Sequence, residues 1–239
     1  MTQEATNHEI VLASGSLRRR ELLSALGLAF RVAVPDAEEH PEPDEPPADL
    51  VRRLSLAKAA AVAAAWPTAL VIAADTVVVL EGDLLGKPRS DAEAAAMLTR
   101  LRNRQHQVYT GLTLLRGQAR TGPSALCVQA ALTPVTMRDY QADEVAAYVA
   151  SGDPRDKAGA YAIQSTLFNP IARIDGCYTN VMGLPLCHLY RCLVAWDVVV
   201  PVHPLQCCPQ ALRAGCVWAE SILSEACPSE RTARAVNLT

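Results

Sequence analysis

The segment that most limits what this chain can become is Leu70 to Leu80, LVIAADTVVVL. It is apolar on both sides of a single Asp75-Thr76 pair and reads as a strand. A carboxylate inside such a run is costly to bury unless it is paired, binds metal or does acid–base work. The flanking sequence alternates in kind. Glu9 to Ala13 reads as a short buried strand, followed by the turn Ser14-Gly15-Ser16 and a helix from Leu17 to Leu26, with Ser16 as N-cap and Gly27 as the C′ residue. Phe30 to Val34 alternates like a strand, Pro35 to Pro47 is an acidic, proline-rich loop, and Asp49 is placed to cap a helix reaching about Trp66.

Beyond the central run, Glu81-Gly82-Asp83 signals a turn, and Ser90 to Glu93 has capping-box form ahead of a helix through Leu101. Val108 to Leu115 and Ala125 to Thr136 read as strands, and Asp143 to Val149 as a helix. Gly152 to Gly159 reads as a polar loop. Ala160 to Gln164 and Ile171 to Ile174 are strand-like, and Pro185 suits position N1 of a helix to about Trp196. Strands interleaved with helices from 9 to 196 predict one α/β domain. Residues 197–239 form a distinct cysteine-rich extension.

The 239 residues are 50% hydrophobic with mean hydropathy +0.11, which excludes a disordered chain. Aromatics are only 5%, so Ala, Leu and Val must fill most of the core. The alanine-rich stretch Ala59 to Trp66 is too short to span a bilayer, and Met1 to His8 carries no apolar run. A soluble, cytoplasmic protein without a membrane partner is expected. With a net charge of −3, a dedicated nucleic-acid binder is not expected, and any polyanion must be met by a local patch. The eight cysteines contain no C-x-x-C pair and are expected to be mostly reduced, small apolar fillers.

Four constellations carry chemistry. Ser14-Gly15-Ser16-Leu17-Arg18-Arg19-Arg20 lies between a strand and a helix, where small residues admit a ligand and helix N–H groups attract anions. Three arginines at the positive end of a helix dipole repel it unless an anion is bound. Asp75-Thr76 is the second. Gly86-Lys87-Pro88 is the third, since an ammonium and a buried carboxylate can share one phosphate–metal site. The fourth is Asp156 to Gln164, DKAGAYAIQ, in which Lys157 and Gln164 flank a short apolar run and the Gln164 amide could read a base edge. No phosphate loop G-x-x-x-x-G-K-[ST], no G-x-G-x-x-G and no G-x-S-x-G elbow occurs, and the five histidines sit in polar or loop contexts.

Taken in order, these pieces resemble the Maf family of nucleotide pyrophosphatases, from about Ile10 to Leu193. The family's opening S-x-S-P-R-R is similar to Ser14 to Arg19, with Leu17 in place of proline. Its D-x-x-E segment resembles Asp36 to Glu39, and its helix lysine resembles Lys58. Ala74-Asp75-Thr76, Lys87-Pro88, His106 to Thr110 and the block Asp156 to Gln164 match further motifs, with Ser165 where the family has glycine. The long last block is similar to the branch acting on dTTP and UTP. The resemblance implies an inosine-triphosphatase-like fold, a mixed central sheet flanked by helices. It also implies a homodimer and hydrolysis of a nucleoside triphosphate, or a modified pyrimidine triphosphate, to the monophosphate and pyrophosphate. On this reading Asp75 is the base and, with Glu39, binds Mg²⁺ or Mn²⁺, while Lys87 takes part in catalysis. Ser14, Arg18, Arg19, Lys58, Thr76, Lys157 and Gln164 are then the substrate contacts. The competing reading is a non-catalytic nucleotide-sensing module using the same groups. In the extension, Cys207, Cys208, Cys216, Cys227 and His203 lack zinc-ligand spacing. A helix from about Leu212 to Ala226 is expected there, with Val217, Trp218, Ile222 and Leu223 packing on the domain.

Overall fold

The computed structural model describes residues 9–37, 40–116 and 124–232. β1 (Ile10–Ala13) leads into α1 (Leu17–Ala25), and β2 (Arg31–Ala33) returns parallel to β1. α2 (Pro47–Ala63) crosses over to β3 (Leu70–Leu80), which lies parallel to β1 on its other side. From there every pairing is antiparallel. β4 (Asp83–Leu85) and β5 (Gln105–Arg116), separated by α3 (Asp91–Leu101), both pair with β3, and β6 (Ser124–Met137) pairs with β5. After α4 (Ala142–Ala150) and two 3-10 turns, Asp153–Asp156 and Ala158–Ala160, β7 (Ile171–Ile174) completes the order β2-β1-β3-β5-β6-β7. Two further helices follow, α5 (Tyr178–Met182) and α6 (Leu186–Ala195). The expected mixed sheet flanked by helices is the architecture found.

Alternation along β3 sorts its side chains between the two faces. Leu70, Ile72 and Ala74 pack with Leu22 and Leu23 of α1 and Leu186, Leu189 and Leu193 of α6. Val71 and Ala73 pack against Ala59 and Val62 of α2. Farther along, Val78 and Leu80 join Leu98, Leu101, Tyr140 and Tyr148. Full burial of each large aliphatic side chain contributes about 1.5–3 kcal/mol. The same alternation sends Asp75 toward α2 and Thr76 toward the α1–α5 side.

The edge of β3 explains where a cleft can form. β1 pairs with Leu70 to Ala73, and β4 with Val78 to Leu80. Ala74 to Val77 have no strand neighbour on that edge among the described residues. The opposite edge is continuous, with Asp75 against Gly111 and Thr76 against Thr110 of β5. Gly111 is required sterically, because a methyl group there would overlap the Val51 carbonyl of α2. Its missing side chain lets α2 lie directly on the sheet.

Several sequence expectations are corrected. α2 begins at Pro47, so Asp49 lies in its first turn and pairs with Arg52 at 2.8 Å instead of capping. Proline's fixed φ and missing N–H suit a helix start, which sets that boundary earlier. Ala160 to Gln164 is not a strand: Gly159 and Ala160 adopt φ of +69° and +60°, which turns the chain. Pro185 is the N-cap of α6 rather than its first residue. The extension forms three short helices, α7 (Pro204–Cys207), α8 (Pro209–Ala214) and α9 (Ala219–Ser224), and a strand β8 (Ser229–Thr232) paired with β6. Gly215 at φ +73° breaks the single helix expected there. Val217 is 88% exposed and Trp218 43%, so neither belongs to a packed face. Cys227 is not a reduced filler, since it is disulfide-bonded to Cys192 of α6.

Candidate active site

The β1–α1 junction, the open edge of β3, α2, the loop after β4 and the 3-10 turns converge on one cleft of about 750 Å³. That is within the range of small-molecule sites. Ser14, Arg18, Arg19, Lys58, Asp75, Thr76, Lys87, Lys157 and Gln164 all line it. Glu39 lies outside the described residues. Five cationic side chains and two carboxylates, Asp75 and Asp156, face the cavity, so an acidic chain carries a local basic patch.

At the floor, Lys58 Nζ donates to Asp75 Oδ1 at 2.5 Å, and both side chains are under 10% exposed. Two elements make this pair. The apolar face of α2 places Lys58 over the sheet, and alternation along β3 aims Asp75 at it. Burying either charge alone costs several kcal/mol, so each is tolerated because the other is present.

The wall beside them is a directed chain of hydrogen bonds. Arg19 donates from Nη2 to Thr76 Oγ1 at 3.0 Å and from Nε to the Gly183 carbonyl at 2.8 Å. Thr110 donates to the Asn180 carbonyl at 2.9 Å, so Thr76 must give its own proton to Thr110, 2.9 Å away. Ser14 accepts from the Ser16 backbone N–H at 3.2 Å and from Arg19 at 3.4 Å. Gly183 closes α5 at φ +104°, and a methyl group there would press on both Arg19 and Thr76.

The N-terminus of α1 opens on the cleft through Ser14, Gly15 and Ser16. Ser16 occupies the expected N-cap position but makes no side-chain capping bond, and the first turn holds no acidic residue. Its N–H groups and dipole therefore remain available to an anion. On the rim, Lys157 Nζ donates to the Asp153 carbonyl at 2.5 Å and to Asp156 Oδ1 at 2.6 Å. Burial raises the Asp156 carboxyl, but the hydrogen bond and charge of Lys157, with Arg18, outweigh it, and the net shift is downward. Lys87 and Gln164 are exposed at the mouth, and Lys87 makes no ion pair among the described residues.

Sequence reasoning passed over part of this constellation. His106 is not in a polar or loop context but 2% exposed within β5, with Nε2 2.7 Å from the hydroxyl of Tyr161 on the cleft wall. Burial pushes the His106 imidazole down to about 4. Its polar neighbours Gln105 and Gln107 point the other way along the strand, which hid the burial. Asn180 and Gly183 belong to no recognisable pattern, and only their contacts reveal them.

Fold and cleft together define an α/β protein built to hold a polyanionic ligand against a buried lysine–aspartate pair. The chain belongs to the Maf-like protein family, whose model matches residues 9–196. It is 49% identical over 192 residues to the dTTP/UTP pyrophosphatase of Moorella thermoacetica, covering 80% of this chain and 97% of that one. It is 47% identical over 178 residues to the dTTP/UTP pyrophosphatase of Symbiobacterium thermophilum, covering 74% and 89%. The protein of the same name from Geobacter metallireducens is 47% identical over 183 residues, covering 77% and 93%.

Proposed function

We propose that this chain is a nucleoside triphosphate pyrophosphatase acting on dTTP and UTP, releasing the monophosphate and pyrophosphate. The observation that carries this reading is the Lys58–Asp75 pair beneath an anion-accepting helix N-terminus. In this reading the α1 N–H groups and Arg18 hold the phosphates, and Lys87, exposed at the mouth, closes on them as a charge. Asp75 takes the proton from an attacking water, with Lys58 fixing the carboxylate's orientation. Arg19 has protein acceptors at Gly183, Thr76 and Ser14, and so acts by holding the Thr76 wall in place. Lys157 stiffens the rim, and the exposed Gln164 amide is placed to meet the base.

The residues fit a hard divalent cation such as Mg²⁺ or Mn²⁺. Asp75 Oδ2 has no hydrogen-bond partner among the described residues and so keeps lone pairs for an oxygen-coordinated ion; the second carboxylate that the resemblance implies, Glu39, lies outside the described residues. Such an ion, when bound, supplies neutralisation of phosphate charge. The test is incubation with dTTP or UTP and Mg²⁺. Pyrophosphate and monophosphate in equal amounts are expected. Orthophosphate as the first product would refute the reading, and binding without turnover would favour a sensing module.

A further inference from the structure

Away from the cleft, three sulfur atoms meet where β6, α6 and the C-terminal segment join. Cys192 is disulfide-bonded to Cys227, and the Cys127 thiol lies 3.5 Å from Cys192 Sγ and 3.6 Å from Cys227 Sγ. Cys127 and Cys192 are fully buried, whereas Cys227 is partly exposed. The Gln129 amide donates toward Cys192 at 3.3 Å and toward Cys127 at 3.8 Å. Gln129 is itself held by Arg191 at 2.7 Å. Arg191 also grips the extension, donating to the Ile222 carbonyl at 2.9 Å and pairing with Glu225. A disulfide, a third thiol in contact with both its sulfurs, a donor to one sulfur and a nearby cation are the parts that thiol–disulfide exchange needs.

We propose that Cys127, Cys192 and Cys227 form a thiol–disulfide exchange site that reacts with low-molecular-weight disulfides and fastens or releases the C-terminal segment. In the reduced protein, the accessible Cys227 thiolate attacks one sulfur of the reagent. A Cys227–reagent bond forms, the reagent's S–S bond breaks, and the departing thiolate takes a proton. Cys192 then attacks Cys227 Sγ and expels the second reagent thiol. Two protein thiols have lost two electrons, and the reagent disulfide has become two thiols. Exchange within the protein needs no further oxidant. The Cys127 thiolate attacks Cys192 Sγ, the Cys127–Cys192 bond forms as Cys192–Cys227 breaks, and the electron pair goes to Cys227, which takes up the proton Cys127 lost. Near-equal separations place Cys127 beside the bond, so its Sγ must first shift in line with the bond before it attacks Cys192. Burial raises the Cys127 thiol to about 11 against the opposing charge of Arg191. Little thiolate therefore forms near pH 7, and Cys192–Cys227 is the resting pair. Once Cys227 is released, the segment is held by the Arg191 contacts and the β6–β8 ladder.

The experiment reduces the full-length protein, incubates it with glutathione disulfide, alkylates the remaining thiols and maps the linked peptides by mass spectrometry. Wild type is expected to give mainly Cys192–Cys227, with a minor Cys127–Cys192 fraction in which Cys227 is alkylated, and Cys127→Ser to give Cys192–Cys227 alone. Hydrogen exchange across residues 219–232 should rise at least about tenfold on reduction, while residues 70–80 stay protected. The proposal is overturned if wild type carries only glutathione adducts, or an internal link with no Cys127–Cys192 fraction even at alkaline pH. It is equally overturned if reduced wild type holds one equivalent of zinc that Cys127→Ser loses, for the three sulfurs are then metal ligands.

Discussion

Asp75 was legible because a carboxylate in the middle of an apolar run has few inexpensive explanations. Its partner was legible only as a lysine on a helix; that Lys58 and Asp75 touch follows from how α2 lies on the sheet. Lys58→Met should therefore lower unfolding free energy by about 3 kcal/mol by stranding a buried carboxylate, and Lys58→Met with Asp75→Asn should recover part of that loss. Denaturant midpoints of the two variants measure it, and equal midpoints for Lys58→Met and wild type would contradict the pairing. His106 shows the opposite case, since its role depends on contacts 55 residues apart. Burial holds its imidazole at about 4, whereas an unfolded histidine titrates near 6.5. Between those values the unfolded chain binds the extra proton, so stability falls as pH drops from about 6.5 to 4. The loss from His106 alone is about 3 kcal/mol at the acid end. Unfolding free energies measured at pH 7 and pH 4.5 should show a smaller drop in His106→Gln than in wild type.

Helices and strands with strong periodicity or good punctuation emerged where their residues placed them, as β3, α3 with its Ser90 cap, and Gly27 after α1 show. The failures came where backbone conformation outweighed composition. The apolar letters of Ala160 to Gln164 suggested a strand, but a left-handed pair at Gly159 and Ala160 turns the segment so that Tyr161 and Gln164 both face the cleft. Gly111 looked like any glycine within a strand, yet it sets how closely α2 can approach, and hence whether Lys58 reaches Asp75. Gly111→Ala should cost about 1–3 kcal/mol of stability through overpacking. It should also reduce turnover more than nucleotide binding, because it displaces the lysine before it disturbs the phosphate end of the cleft. Thermal melts together with nucleotide titration separate the two effects. Unchanged turnover would show that α2 adjusts without moving Lys58.

Across the whole molecule, the order of motifs from Ser14 to Gln164 carried most of the site, since they fold onto the stretch of β3 that lies open between β1 and β4 among the described residues. The extension was the least readable part. Short helices, one begun at Pro209 and ended at Gly215, give no periodic signal, and nothing in cysteine spacing joins position 227 to positions 127 and 192. The family match ends at residue 196, and no described residue of the extension lines the cleft. A chain truncated after Trp196 should therefore lose stability, through loss of β8 and of the Arg191 contacts, yet still release pyrophosphate. A folded truncation without activity would place the extension in the catalytic unit. The central claim is that Asp75, held by Lys58 at the floor of the cleft, activates the attacking water. Its most direct test is Asp75→Asn, which keeps the side chain's size and removes the base. Pyrophosphate release from dTTP should fall by at least about 10²-fold while the dissociation constant for the nucleotide stays within a few-fold of wild type. Retention of full turnover in that variant would contradict the account.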